Sequence, residues 1–114
     1  MPLDAQKVHS GSGRITRGSE VVGEASRVNF IIQTLGLEET GDTARTCYGT
    51  VSGRITKTGL VADLNSPPQS HVDLQLVLSS EKGKGVKIVG IEFVDEVPRD
   101  GELDDLEFHG MLSE

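Results

Sequence analysis

Two short segments hold side chains whose chemistry could be combined. Arg45 and Tyr48 flank Cys47 in one, and His71 and Asp73 sit two apart in the other. Residues i and i+2 of an extended chain share a face, so the Asp73 carboxylate can orient the His71 imidazole. Brought together at the open mouth of a barrel, Arg45, Tyr48, His71 and Asp73 would form a polar cluster for binding a small ligand or for acid–base work. Cys47 has no histidine placed beside it by any local motif, and a nucleophilic cysteine needs such a base. It is read instead as a small apolar filler of the core.

The other chemistry is acidic. Asp95, Glu96, Asp100, Glu102, Asp104, Asp105 and Glu107 crowd one segment and are opposed there only by Arg99. Such a run suits docking to a basic protein partner or attraction of a divalent cation. Glu96–Glu107 places Asp100, Gly101, Asp104 and Glu107 at positions 5, 6, 9 and 12 of an EF-hand-like loop. Position 3 is Pro98, which has no side-chain oxygen, and the flanks read as strands, so a calcium loop of that type is rejected. What remains is a surface cation candidate at Asp100, Asp104 and Asp105. His9, His71 and His109 stand at no metal-ligand spacing, and no dinucleotide, phosphate-loop, serine-hydrolase or zinc-protease pattern occurs. No cofactor is expected.

These groups sit on a chain of 114 residues with a net charge of −7, 35% hydrophobic residues and no tryptophan. That length suits one domain with a real core. We read residues 1–114 as a single β domain, with 1–9 as a flexible N-terminal arm. One cysteine excludes an internal disulfide framework and paired-cysteine zinc sites. The acidic balance argues against a nucleic-acid partner. No window approaches the roughly 18 apolar residues of a membrane helix, and Met1–Gly13 lacks the apolar stretch of a secretion signal, so a cytoplasmic location without membrane contact is expected. The charge is uneven. Residues 1–57 carry seven basic groups against six acids, whereas residues 58–114 carry four against twelve.

The elements that must position these residues repeat with a period of two. In His71–Ser80, Val72, Leu74, Leu76 and Leu78 face one way and Asp73 and Gln75 the other, the pattern of a half-buried strand. Arg27–Leu35 turns Val28, Phe30 and Ile32 inward. Val86–Val97 sets Val89, Ile91 and Phe93 against Val86 and Ile88. Ala44–Thr56 and Asp105–Leu112 complete the strong set, with Ser12–Thr16, Glu20–Ala25 and Leu60–Leu64 as weaker strands. Glu81–Gly85 and Pro98–Gly101 carry the glycine chemistry of hairpin turns. A short turn of helix is considered only at Leu35–Glu39 or after Pro67. The expected fold is all-β, a small antiparallel sandwich or barrel of six to eight strands with little or no helix. Its core would hold Val28, Phe30, Ile32, Val51, Val72, Leu74, Leu76, Leu78, Val89, Ile91, Phe93, Leu106 and Phe108.

One segment recurs. Ser12-Gly-Arg-Ile-Thr-Arg17 returns as Ser52-Gly-Arg-Ile-Thr-Lys57, either a trace of duplication or two strand ends with the same needs.

Arg27–Leu35 and Val86–Val97 carry apolar residues on both faces, more than one small sandwich covers. The expectation that follows is a non-catalytic soluble binding or assembly module. It would form a homo-oligomer through apolar strand faces and offer the acidic C-terminal hairpin for docking. The alternatives are a ligand-binding barrel or enzyme built on the four polar residues, and a structural subunit of a larger particle that pairs through edge strands.

Overall fold

In the computed structural model, which describes residues 8–36, 43–66, 72–79 and 85–113, the alternation becomes six strands and one short helix. The strands are β1 (His9–Arg17), β2 (Glu20–Gly36), β3 (Thr43–Ile55), β4 (Leu74–Ser79), β5 (Gly85–Phe93) and β6 (Glu102–Ser113), with α1 (Leu60–Leu64) between β3 and β4. All neighbours are antiparallel and the sheet closes in the order β1-β2-β3-β6-β5-β4. The chain therefore makes two three-stranded meanders, joined by β3 to β6 and by β4 back to β1. Every strand has a neighbour on both sides. Of sandwich and barrel, the fold is the barrel, and closure removes the free edges through which strands of separate chains would pair.

Inward residues of all six strands fill the interior. Val28 and Phe30 of β2, Cys47 and Val51 of β3, Leu74, Leu76 and Leu78 of β4, and Phe108 of β6 are buried. These side chains form one continuous buried core. Where β3 ends, α1 covers the opening with Leu60 and Leu64, both buried. Asn65 ties the helix to the β5–β6 connection: its Nδ2 donates to the Val97 carbonyl at 2.7 Å and its Oδ1 accepts from the Val97 amide at 2.8 Å.

Several expectations shift at this level. Leu60–Leu64 is a helix rather than a strand, because the Lys57–Leu60 turn redirects the chain and Leu60 and Leu64 share one helical face. Five residues are too few for a period to decide between the two. Glu20–Ala25 and Arg27–Leu35 are one continuous strand of 17 residues that bulges at Ser26. β1 begins at His9, which stacks on Phe30 with ring centroids 5.3 Å apart, while residues 1–7 of the expected arm lie outside the described residues.

β5 corrects the core. Val89, Ile91 and Phe93 were expected on one face, yet Ile88, Ile91 and Phe93 are buried and Val89 is only half-buried. Gly90, at φ 62°, lets the strand bulge, and the alternation changes parity across it. Ile32 and Leu106 are partly buried against the core, and Ile15, Val22, Ile55, Val97 and Leu103 join it. The Glu81–Gly85 turn joins antiparallel neighbours β4 and β5, but residues 81–84, like Leu37–Asp42 and Pro67–His71, lie outside the described residues.

The recurring segment also gains a meaning. Gly13 and Gly53 both pair with Ala25, Arg14 and Arg54 both with Glu24, and Ile15 and Ile55 both with Gly23. The two copies occupy matching seats on either side of β2. A duplicated meander would relate β1 to β4; the echo relates β1 to β3. Both seats demand glycine, since a methyl on Gly13 would collide with the Val77 carbonyl and one on Gly53 with that of Glu24.

Candidate functional site

The inward positions of the described strands are mostly apolar, so the polar side chains lie on the outside and at the ends. β3, β6 and β5 lie side by side, and their pairing registers set outward residues in rows. Tyr48, His109 and Glu92 form one row, and Thr46, Met111 and Val89 form the next. Ile31 of β2 extends the first row beside Tyr48. The inward partners on β6 are Phe108 and Gly110, which are buried, so the strand divides cleanly into core and surface positions.

This wall gathers apolar side chains that other walls bury. Tyr48, Met111 and Val94 are exposed by 43%, 48% and 58%, and Ile31 and Val89 are half-buried beside them. Of the five large hydrophobic residues exposed among the described ones, these three share one face. A shallow cavity of about 520 Å³ opens between Tyr48, Thr50, Val94, Glu107 and His109. Its floor is held by the Val94 amide, which donates to the Glu107 carbonyl at 3.0 Å. His109 Nε2 stands 3.6 Å from Glu92 Oε2, close enough for an ion pair when the imidazole is protonated.

A second cavity, about 600 Å³, lies at the helix-capped end between the 56–59 turn, α1 and the 96–101 segment. Lys57 and Arg99 line it together with Glu96 and Asp100, so neither sign of charge dominates. Lys57 is already paired with Glu20 at 2.9 Å.

No family model matches this chain, no curated protein matches it, and no solved structure matches it.

Of the four polar residues considered for a ligand site, Arg45 and Tyr48 are exposed on β3 but three positions apart, an odd number, so their side chains leave the strand on different sides. Asp73 is exposed just ahead of β4, at the end of the barrel where β3 stops, and His71 lies outside the described residues. Tyr48 lines a cavity; Arg45 and Asp73 line neither of the two described above. The three described members are not brought together.

The acidic run is divided among several surroundings. Glu102 is ion-paired with Arg54. Asp105 accepts from Arg27 at 2.9 Å and from Ser52 Oγ at 3.1 Å, and its own amide donates to Ser52 Oγ at 3.0 Å. The Arg27 hydrogen bond, then that of Ser52, holds the Asp105 carboxyl below its ordinary range. Its φ of 46° marks the bulge by which β6 spends two residues, Asp104 and Asp105, opposite Ser52 alone. Asp95, Glu96, Asp100 and Asp104 remain exposed around the β5–β6 connection, and Glu107 belongs to the outer-face cavity. The cation candidate of Asp100, Asp104 and Asp105 is not gathered: no group of three potential ligands suited to a metal exists among the described residues.

Cys47 is fully buried, and burial pushes its thiol above the ordinary value, in keeping with a filler of the core. Sequence reasoning missed Val94, Met111 and His109 as a group. Parity did send His109 outward, but its neighbours depend on which strand pairs with which. Among the described residues, no helix is long and apolar enough to cross a membrane.

Proposed function

We propose that this chain is a non-catalytic binding and assembly module that associates with itself through the outer face of β3, β6 and β5. The observation that carries this reading is that Tyr48, Val94 and Met111 are exposed on one face of the barrel, Tyr48 and Val94 at the rim of a shallow cavity. Removing such an apolar cluster from water favours association in proportion to the area covered. Polar groups stand among them, His109 and Glu92 in the row of Tyr48 and Glu107 beside the cavity.

Mass measured by light scattering across a range of micromolar concentrations tests it. The wild-type chain is expected to reach twice the monomer mass, and Met111→Lys is expected to hold it at the monomer mass without altering the thermal midpoint of the barrel. A wild-type monomer throughout would overturn the reading. The exposed carboxylates Asp95, Glu96, Asp100 and Asp104 support a second, separate contact with a basic protein partner, which rising salt should weaken.

A further inference from the structure

We infer that the open edge of β2 over Ile31–Gly36 is a further contact between copies of this chain, in which the β2 strands of two molecules pair antiparallel beyond their barrels. The inference goes beyond the outer-face association proposed above and uses different residues.

Closure of the barrel ends before β2 does. β1 pairs with β2 only as far as His9 opposite Phe30, while β3 follows β2 to Gly36, opposite Thr43. β2 therefore runs six residues past β1, and among the described residues no strand lies on that side of Ile31–Gly36. On the far side of the pair, β6 goes no further than Met111 opposite Thr46. What leaves the barrel is a two-stranded ribbon. Val8, the residue before β1, is 60% exposed and belongs to no strand, so β1 does not follow the ribbon outward. Along the open side, alternate residues of β2 present backbone N–H and C=O groups to which a further strand can bond.

Exposed edges are ordinarily blunted by lysine, by proline or by charges turned inward. Ile31-Ile-Gln-Thr-Leu-Gly36 carries no charge and no proline, and isoleucine and threonine favour the extended chain. Its composition points to a second copy as the occupant. The strand laid antiparallel against itself opposes no like charges, and under a two-fold axis perpendicular to the sheet every hydrogen bond between copies occurs twice. Such an axis sets the barrels side by side and leaves the outer face of β3, β6 and β5 uncovered, so both contacts can operate in one assembly. Used together they link copies beyond the dimer. A pairing of this length supplies about six backbone hydrogen bonds, so by itself it is weak, with a dissociation constant on the order of hundreds of micromolar.

Sedimentation equilibrium on the full chain carrying Met111→Lys isolates the edge from the outer face. That chain, monomeric at micromolar concentration, is expected to approach twice the monomer mass at about 1 mM. Thr34 is exposed within the open edge. Thr34→Lys and Thr34→Glu, each added to Met111→Lys, bring like charges together across the paired strands and are each expected to weaken the pairing about tenfold. Mixed in equal amounts, the two variants are expected to pair to within about threefold of their parent, because unlike charges then meet. Unchanged thermal midpoints confirm that the barrel is intact. A Met111→Lys chain that stays monomeric at the highest concentration would overturn the edge contact, as it would if residues 1–7 of the same chain covered the edge, and leaves the outer-face reading standing. Pairing indifferent to both Thr34 variants, or a mixture no stronger than either alone, would overturn it too. A wild-type monomer at micromolar concentration would sink only the outer-face association.

Discussion

The wall formed by β1, β2 and the far end of β3 and the wall formed by β3, β6 and β5 treat their outward residues differently. On the first, charges answer one another across the strands. Arg14, Glu24, Arg54 and Glu102 stand in one cross-strand row, Lys57 reaches Glu20, and Arg27 reaches Asp105. On the second, the rows mix exposed or half-buried apolar residues, Tyr48, Met111 and Val89, with His109, Glu92 and Thr46. A wall of alternating charge is content in water, and its ion pairs add little stability because they are exposed. A wall of exposed apolar groups has free energy to gain from a partner.

Contrast within β6 gives the largest expected effect. Phe108 and His109 are neighbours in sequence, one fully buried and one exposed. Phe108→Ala should cost about 3–5 kcal/mol in urea unfolding, the usual loss for an aromatic removed from a packed core. His109→Ala should stay within about 0.5 kcal/mol under conditions that keep the chain monomeric. Equal losses at both positions would mean that the outer face is structural.

The two walls are compared directly by association. Met111→Lys should raise the dimer dissociation constant at least tenfold, about 1.4 kcal/mol or more, whereas Arg14→Gln on the charged wall should change it by less than about twofold. A dimer broken by Arg14→Gln would exchange the roles of the walls.

Smaller still is the effect of Thr16, whose buried hydroxyl has no hydrogen-bond partner among the described residues. Thr16→Val keeps the shape and removes that cost, so stability should be unchanged or raised by up to about 1 kcal/mol. A clear loss would show that the hydroxyl has a partner in solution.

Acid should act on the charged wall through Asp105. Its carboxyl titrates below its unfolded value, so its contribution is complete above the unfolded value and is lost as pH falls through the lowered one. Asp105→Asn should therefore flatten the fall in thermal midpoint on the acid side of the ordinary carboxylate range. An acid limb identical to wild type would count against the Arg27–Ser52–Asp105 network in solution.

Much of the fold can be read from single strands. Leu74, Leu76 and Leu78 alternate with polar or less buried neighbours, and all three are inside. Val28 and Phe30 do the same on β2. Where the reading fails, a bulge intervenes: at Gly90 the parity of β5 changes, and Val89 leaves the core while Ile88 enters it. The candidate site was less legible. Tyr48 was singled out with Arg45, His71 and Asp73, but its neighbours on the face are His109 of β6 and Ile31 of β2. Neither is close to it in sequence, and alternation carries no information about partners across a ladder.

The amino-acid order alone determined that this chain would be antiparallel β, because a period-two pattern with glycine-bearing turns can bury its apolar residues in no other regular way. It also placed the acidic excess in the second half. Tertiary structure decided the rest. Pairing β4 onto β1 and β6 onto β3 closed the barrel and placed Tyr48 beside His109 and Met111 beside Val89. The recurring Ser-Gly-Arg-Ile-Thr segment shows the division most plainly. Sequence reveals two alike stretches, but only the sheet reveals that they flank the same strand, because register is a relation between strands and belongs to neither of them.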